Sequence, residues 1–358
     1  MESTSFDAKR AEAFAENVAG VLNGGALALM ISIGHRSGLF DVMSRLDFAT
    51  PHELADAAGL DERYVREWLG AMTTGGITEL DPEAGAYRLP PEHAASLCRA
   101  ARPANLAVTA QWIPLLARVE DEILECFERG GGVPYSSYDR FHEVMAEESD
   151  QTTVALLIEE IVPLVPGGLA ALEAGIDVLD VGCGAGRALN RLAETFPKSR
   201  FTGFDLSGEA IASARAEAAD RGLRNARFEV RDVADLTDPT GYDWVTAFDA
   251  IHDQARPDAV LAAIARCLRP GGTFLMQDIR GTSHVHEDAA HPMSPFLYTV
   301  SCLHCMTVSL AGEGAGLGAM WGERTARRML REAGFDRIDV SILPHDEINQ
   351  YYVARKET

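Results

Sequence analysis

The spacing of apolar and polar positions changes part-way along the chain. Up to about residue 174, apolar residues recur every three or four positions, the period of amphipathic helices. From residue 176 onward, short apolar runs alternate with helical patterns, which predicts a parallel sheet covered by helices. The first five runs lie at residues 177–181, 200–205, 226–230, 243–248 and 272–277. The chain is therefore expected to be an α/β protein with a helical region in front of its sheet.

Residues 37–99 have the pattern of a winged helix, three helices followed by a β-hairpin. Thr50 and Glu53 form a capping box before the second helix, and Asp61 precedes the third. Short apolar runs at 77–80 and 87–89 flank a turn, which predicts the hairpin. In front of this unit, a helical pattern over residues 6–30 ends in a run of small residues at 23–26, a composition that permits close packing in a homodimer.

These patterns divide the chain into three regions. Residues 1–100 form a helix and a winged-helix dimerisation domain, and residues 101–174 form a helical connector interrupted by glycine and proline. Residues 175–358 form the α/β domain, in which an irregular insertion at 280–320 is expected to cover the substrate. The length of 358 residues agrees with about two domains.

The charge balance argues against nucleic acid and membranes as partners. The chain has 32 Lys and Arg against 54 Asp and Glu, a formal net charge of -22. Residues 1–100 alone hold 8 basic and 15 acidic residues, and Asp61, Glu62 and Glu67 lie on the helix that would enter DNA. Phosphate backbones and anionic lipids repel such a surface. With no signal-peptide pattern and no disulfide spacing among the cysteines, a cytoplasmic protein is expected.

A glycine-rich loop follows the first strand of the α/β domain. The strand ends at Asp180 and continues into a GxGxG pattern formed by Gly182, Gly184 and Gly186. Glycines let the backbone approach a ligand closely at the switch point of such a sheet. Dinucleotide loops read GxGxxG and bind a pyrophosphate, which Asp180 would repel. The same acid can bind the ammonium group of an amino acid.

Two further acids fall where the same ligand would lie. Asp205 ends the second strand, where its two oxygens can accept from both ribose hydroxyls. Asp232 follows the third strand and can accept from an adenine amino group, while the Val233 N–H donates to a ring nitrogen. Leu206 follows the second strand and Phe248 ends the fourth, and both are expected to contact the cofactor. Ammonium, ribose and adenine together describe S-adenosylmethionine (SAM).

On these residues the chain resembles the class I SAM-dependent methyltransferases. Residues 176–358 carry the loop, the acids and the strand order, and the full chain is similar to winged-helix small-molecule methyltransferases of actinobacterial type. The resemblance implies a Rossmann-like, seven-stranded sheet whose last two strands, at 337–343 and 348–356, form an antiparallel hairpin. It also implies a SAM cofactor.

A second cluster, His252 with Asp253, follows the fourth strand, where the methyl group of bound SAM should point. A histidine with a pKa near 6.5 can take a proton from a phenol, a thiol or a carbon acid, and a carboxylate can orient its ring. Methyltransferases that resemble plant phenolic O-methyltransferases have a His-Asp pair at this place. The resemblance implies that His252 is the base.

An alternative uses His304, about 50 residues further on. Two histidines and a carboxylate, His252, Asp253 and His304, suit non-haem iron or another divalent or ferric ion with open positions for a chelating acceptor. This set resembles that of iron-containing phenylpyruvate C-methyltransferases. The sequence leaves three roles open for the histidines, which are base, metal ligand and structural residue.

The acceptor is expected to contact the segment after a glycine hinge at 130–132. Tyr135, Tyr138 and His142 supply aromatic and polar groups there, and His304 would face them from the insertion. The sequence thus predicts methyl transfer from SAM to a phenol, a thiol or a 2-oxo acid. The alternatives are a winged-helix transcriptional regulator that binds SAM as an effector and an NAD-dependent oxidoreductase, which the loop spacing disfavours.

Overall fold

The computed structural model describes residues 6–236 and 241–356. The chain forms two compact units, residues 1–114 and 115–358. The boundary between them falls inside the segment that the sequence predicts as a helical connector.

The first unit is a winged helix behind a long helix. Its helices are α1 (Ala8–Ser37), α2 (Leu39–Met43), α3 (Pro51–Ala58), α4 (Glu62–Thr74), α5 (Pro91–Leu97) and α6 (Leu106–Thr109). Its hairpin is β1 (Glu79–Asp81) and β2 (Ala86–Arg88), and Ala49 bridges to Tyr87 beside it. The predicted capping box of Thr50 and Glu53 is present at α3. The three helices and the hairpin confirm the winged helix.

Helix α1 does not end at the small-residue run, as the sequence predicted, but continues to Ser37. Its end is set by Gly38, whose φ of 76° is a left-handed conformation that favours glycine. The last turns of α1 pack on the winged helix, where the Trp68 indole donates to the Met30 carbonyl at 2.9 Å. Gly34 allows this contact, because a Cβ there would lie 2.6 Å from the Trp68 ring.

The earlier turns of α1 are exposed to solvent. By length and composition α1 could cross a membrane. Membrane spans, signal sequences and interface helices share these properties. The exposed large apolar side chains of α1 are those of Phe14, Val18, Val21, Leu22, Leu29 and Ile33. Phe14, Val18, Leu22, Leu29 and Ile33 follow one stripe of the helix, and Val21 lies at its edge.

The second unit contains helices and a mixed sheet. Its helices are α7 (Trp112–Ala117), which begins just before the boundary, α8 (Glu120–Arg129), α9 (Phe141–Gln151), α10 (Gly168–Ala174), α11 (Arg187–Thr195), α12 (Gly208–Asp220), α13 (Pro257–Cys267), α14 (Val285–Asp288), α15 (Ser294–Val300), α16 (Met306–Ala311) and α17 (Gly322–Glu332). Its strands are β3 (Asp177–Val181), β4 (Arg200–Asp205), β5 (Ala226–Val230), β6 (Tyr242–Phe248), β7 (Leu268–Ile279), β8 (Arg337–Ser341) and β9 (Asn349–Arg355).

The seven strands of the second unit follow the order β5-β4-β3-β6-β7-β9-β8. The first five are parallel, whereas β9 runs antiparallel to both β7 and β8. The predicted Rossmann-like sheet with a final antiparallel hairpin is therefore confirmed. The order reverses between β3 and β6, the place where sheets of this kind bind ligands at the carboxyl ends of their strands.

Apolar cores fill the space on each side of this sheet. One contains α13 and α17 side chains such as Ile264 and Leu330, and the other contains α11 and α12 side chains such as Leu189 and Ile211. Central strands such as β3 and β6 are buried on both faces, whereas the edge strands β5 and β8 are partly exposed. Burial of both faces explains why the central strands are continuous apolar runs rather than alternating ones. Burial of both faces holds the strand ends in fixed positions.

Gly34 and Gly24 provide a matched test of the contact at the end of α1. We expect Gly34→Ala to destabilise the first unit by about 1–3 kcal/mol, because the new methyl group overlaps the Trp68 ring. Gly24 has no atom near its missing side chain, so Gly24→Ala should stabilise by about 0.5–1 kcal/mol through helix propensity. Urea unfolding followed by circular dichroism measures both. Equal effects of the two substitutions would contradict the contact.

Candidate active site

The glycine loop between β3 and α11 is shaped by close contacts at its two ends. Gly182, Gly184 and Gly186 have φ values of 69°, 51° and 72°. A Cβ on Gly182 would lie 2.5 Å from the Ala250 Cβ, and one on Gly186 would lie 2.7 Å from the Ala214 Cβ. No atom lies within 4 Å of the corresponding position on Gly184, which lines a cavity. Gly182 and Gly186 thus allow close packing within the protein, whereas Gly184 leaves open space beside the cavity for a ligand.

Asp180 lies beneath this loop and is 3% exposed. The Thr246 hydroxyl donates to its Oδ1 at 2.7 Å. Burial raises the pKa of Asp180 to about 7, and the charge of Asp205 adds to this rise, while the Thr246 hydrogen bond opposes it. A buried carboxyl group of this kind is stabilised in its charged form by a cationic ligand.

Asp205 is oriented by two backbone donors. The Gly184 N–H donates to its Oδ2 at 2.8 Å, and the Ser207 N–H donates to its Oδ1 at 2.8 Å. Each carboxylate oxygen has a further lone pair, so the group can still accept from two hydroxyls. Strand β4 and the glycine loop therefore fix the orientation of the Asp205 carboxylate at the cavity. Its contact with a ribose stays a prediction.

A cavity of about 820 Å³ opens at this end of the sheet. Its volume is within the range of small-molecule sites. Leu206, Val233 and Phe248 line it, as predicted cofactor contacts should, and Arg231 lines it as well. Asp232 does not, since its oxygens accept from the Ala234 N–H at 2.8 Å and from Arg256 at 3.0 Å. An adenine contact of Asp232 stays a prediction.

An aromatic wall formed by residues 135–142 borders the other end of the cavity. Tyr135, Tyr138 and His142 line it, as does Phe141. Phe141 stacks on the His304 ring with a centroid distance of 4.3 Å, and Tyr138 meets that ring edge-on at 4.8 Å. The Tyr138 hydroxyl donates to the Leu303 carbonyl, so its polar group is used within the protein.

His252 forms its ion pair with a different carboxylate from the one predicted. Its Nδ1 lies 2.8 Å from Asp278 Oδ1, whereas Asp253, its neighbour in sequence, accepts from the Tyr135 hydroxyl. Asp278 lies near the end of β7, which pairs with β6. The prediction that Asp253 orients His252 is therefore wrong, because Asp278 on the adjacent strand occupies the hydrogen-bonding position at Nδ1. The sequence signal for Asp278 is an acidic residue at the end of the fifth strand.

Asp278 is fully buried and holds His252 rigidly. Its Oδ1 also accepts from the Ile279 N–H at 2.8 Å and from the Trp321 indole at 2.9 Å. Burial lowers the pKa of His252, but the Asp278 carboxylate outweighs burial and holds that pKa well above its usual value. His252 itself is 2% exposed and is absent from the lining of the cavity.

Asp249 is a site residue that the sequence analysis missed. It lines the cavity, and its Oδ1 lies 3.7 Å from His252 Nδ1 with no hydrogen-bond partner. Its φ of 55° is unusual for a residue other than glycine, and such strain is concentrated at functional sites. Burial raises the pKa of Asp249 to about 7, although the positive charge of His252 acts to lower it. No spacing rule reveals a backbone conformation of this kind.

The predicted metal set of His252, Asp253 and His304 is not assembled in the structure. Over residues 6–236 and 241–356, the one group of three such residues whose ligand atoms lie within 4.8 Å of one another is Asp249, His252 and Asp278. In that group the Asp278 oxygen nearest His252 already accepts three hydrogen bonds. Burial lowers the pKa of His304 to about 3, so its ring is neutral. The residues therefore fit an oriented histidine better than the predicted metal centre.

Comparisons with known proteins agree with this geometry. Residues 25–99 match the family model described as an Rv2258c-like winged HTH domain. Residues 172–334 match the model described as a methyltransferase domain. The chain carries a methyltransferase domain behind a winged helix. The domain types and their order are as the sequence predicted.

Curated relatives match parts of the chain. A fatty-acid O-methyltransferase of Mycolicibacterium smegmatis is 39% identical over 114 residues, which are 32% of this chain and 40% of the relative. A nocamycin O-methyltransferase of Saccharothrix syringae is 41% identical over 102 residues, 27% of this chain and 36% of the relative. The chain thus spans about two-fifths of the length of these relatives.

Solved structures match over nearly the whole chain. Human N-acetylserotonin methyltransferase, in complex with SAM, superposes with a TM-score of 0.69 at 16% identity and covers 100% of both chains. The mitomycin 7-O-methyltransferase MmcR gives a TM-score of 0.69 at 18% identity, covering 98% of this chain and 100% of the other. At these identities the likeness shows the fold of the methyltransferase domain and its winged helix.

The pKa of Asp180 predicts how ligand binding to the methyltransferase domain depends on pH. An ammonium group requires the charged carboxylate, so affinity for S-adenosylhomocysteine should be constant above about pH 8, where Asp180 is almost fully charged. Below pH 7 Asp180 becomes protonated, and affinity should fall by up to about tenfold per pH unit. Calorimetry between pH 5.5 and 8.5 measures this. Asp180→Asn should bind weakly with a flat pH profile; a retained slope in that variant would assign the proton to another group.

Proposed function

We propose that the chain is a SAM-dependent methyltransferase that acts on a small-molecule acceptor. The observation that carries this proposal is that one cavity is lined both by the glycine loop with Asp180 and Asp205 and by the aromatic wall with Asp249 and Asp253. A methyl donor at one end and an acceptor at the other would meet inside it. The O-methyltransferases among the relatives and the solved structures support the same reaction class.

The residues at the loop end fit SAM. Asp180 would bind its ammonium group, Asp205 its ribose hydroxyls, and Leu206 and Val233 would lie against its adenine. Gly184 leaves the room that a closely bound ligand needs. When bound, SAM supplies a methyl group that is already activated on a sulfonium, so the protein has to position the acceptor, exclude water and remove a proton.

The acceptor's proton would be taken up by the carboxylate of Asp249, the one residue of the group Asp249, His252 and Asp278 that lines the cavity. The pKa of His252 is held well above its usual value, so His252 stays positively charged beside Asp249. Asp249 reaches the cavity, His252 lies behind it, and Asp278 fixes the imidazole by holding Nδ1. The acceptor O–H bond breaks as the proton leaves, and the new O–CH3 bond forms as the bond from sulfur to the methyl carbon breaks. Asp278 acts through His252 and is therefore a positioning residue.

The transcriptional regulator is the weaker candidate. On α4, the helix that would enter DNA, Arg66 pairs with Glu62 and Arg63 pairs with Glu67 at 2.5 Å. These pairs leave the helix without a cationic face for phosphates. We infer that the protein does not bind nucleic acid. A mobility-shift assay at low salt that shows a complex would overturn this inference.

We also propose that the protein is a cytoplasmic homodimer joined through α1. The stripe of Phe14, Val18, Leu22, Leu29 and Ile33 leaves apolar area exposed along one side of a 30-residue helix, which favours burial against a second copy. A membrane would take up the same stripe, but the acidic chain disfavours an anionic lipid surface.

A transfer assay with labelled SAM tests the activity. Phenols, thiols and 2-oxo acids should be compared with and without a chelator, and we expect transfer that the chelator does not reduce. Asp205→Ala should weaken the binding of S-adenosylhomocysteine by roughly 1–3 kcal/mol, the scale of a charged hydrogen bond. Asp278→Asn should lower kcat by at least about tenfold with KM for SAM unchanged.

Three results would contradict this scheme. Unchanged affinity in Asp205→Ala would remove that residue from the site. Transfer that is lost with chelator and restored by an added metal would revive the metal centre. An Asp278→Asn variant with wild-type kcat and pH profile would show that orienting His252 does not matter.

Charge substitutions on α1 test the dimer. We expect Leu22→Glu to convert a dimer to a monomer in light scattering at micromolar concentration, since it places a charge in the apolar stripe. Ala13→Glu adds the same charge at an exposed position on the opposite side of the helix, outside both the stripe and the small-residue run at 23–26, and it should leave the dimer intact. A wild-type monomer at every concentration, or association with neutral lipid vesicles instead, would contradict the proposed interface.

A further inference from the structure

The lining of the cavity is strongly acidic. Six of its residues are Asp or Glu, and three are Arg. Two of the acids, Asp180 and Asp205, lie at the loop end, where the proposed function uses them for the cofactor. Asp139 and Glu209 are exposed. Asp249 and Asp253 remain, and both lie on the turn after β6. Asp253 accepts from the Tyr135 hydroxyl of the aromatic wall, and Asp249 lies beside His252.

The arginines offer little to an anionic acceptor. Arg140 pairs with Glu143 at 2.8 Å, and Arg187 pairs with Glu217 at 2.8 Å. The guanidinium of Arg231 lies over the Phe204 ring, 5.1 Å from its centroid, and Arg231 follows β5, at the loop end. In the described part of the cavity lining, each guanidinium thus has a contact within the protein or lies near the cofactor end.

Neutral groups, rather than cations, donate the hydrogen bonds that the structure gives Asp253. The Tyr135 hydroxyl donates to its Oδ2, and the Gln254 side-chain amide donates to its Oδ1 at 3.5 Å. Asp249 Oδ1 has no hydrogen-bond partner, and the charged group nearest to it is His252, which already pairs with Asp278. A ligand that brings a hydrogen-bond donor or a cation would satisfy Asp249, whereas a ligand carboxylate would add a like charge at short range.

We propose that Asp249 and Asp253 determine acceptor specificity by admitting phenols that are neutral or carry an ammonium group and by excluding acceptors that carry a carboxylate. This inference rests on the proposed function and narrows it. Of the three acceptor classes considered, it favours phenols and disfavours 2-oxo acids. It also separates this chain from the fatty-acid O-methyltransferase that it resembles in part, whose name implies a carboxylate acceptor.

Three catechols of matched shape test the proposal, namely 3,4-dihydroxybenzylamine, 3,4-dihydroxybenzamide and 3,4-dihydroxybenzoate. Their dissociation constants are measured by calorimetry at pH 8, above the pKa of about 7 of Asp249, on the chain saturated with S-adenosylhomocysteine, and kcat/KM is measured with SAM at the same pH. We expect the amine and the amide to bind at least about tenfold more tightly than the benzoate.

Isosteric variants of Asp249 and Asp253 test whether these two residues cause the preference against the benzoate. Asp249→Asn and Asp253→Asn should each reduce the ratio of benzoate to benzylamine dissociation constants by at least about fivefold, because each removes one negative charge near the acceptor. Asp220→Asn makes the same charge change at the exposed end of α12, outside the cavity. It should leave the ratio unchanged, which controls for net charge.

Several outcomes would overturn the inference. A benzoate that binds as tightly as the amide would do so, as would failure of all three catechols to bind. Ratios that do not move in either cavity variant would show that the preference arises elsewhere. Failure of the proposed function gives a separate result, since the protein would then not bind S-adenosylhomocysteine at all.

Discussion

The close contact between Gly182 and Ala250 is the constraint on which the site depends. It joins the loop after β3 to the turn after β6, and a single added methyl group on Gly182 would overlap the Ala250 side chain. The first of these segments forms the cofactor end of the cavity, and the second carries Asp249, His252 and Asp253. Because two neighbouring parallel strands deliver both segments to the same edge, the distance between donor and acceptor follows from sheet geometry and from one missing side chain.

A second feature is the burial of ionisable groups around that contact. Asp180 and Asp278 are buried, whereas Asp249 is partly exposed at the wall of the cavity. Asp278 Oδ1 accepts three hydrogen bonds, one of them from His252, while its Oδ2 has no hydrogen-bond partner among the described residues. Asp180 and Asp249 accept fewer hydrogen bonds, have raised pKa values and line the cavity. This is the arrangement expected where ligands, rather than the protein, complete the hydrogen bonding.

Much of the fold and of the cofactor end could be predicted from the sequence, because strand ends and glycine spacing are local signals. Asp180 and Asp205 lie where the apolar runs end, and the structure places them at the loop. The acceptor end was harder to predict. The pairing of His252 with Asp278 depends on which strands are neighbours, and the role of Asp249 depends on a left-handed backbone conformation. The continuation of α1 past Gly24 depends on tertiary packing against Trp68, which cannot be inferred from the helix propensities of the residues in α1.

The two ends of the cavity are built from different parts of the chain. The loop end comes from the sheet, while the aromatic wall comes from residues 135–142, in the segment before the first strand of the sheet. Substitutions in that wall can change which acceptor is methylated without changing how the methyl donor is bound. During evolution, substitutions confined to residues 135–142 can therefore change the acceptor and hence the product, while the part of the cavity that binds the nucleoside keeps its sequence and geometry.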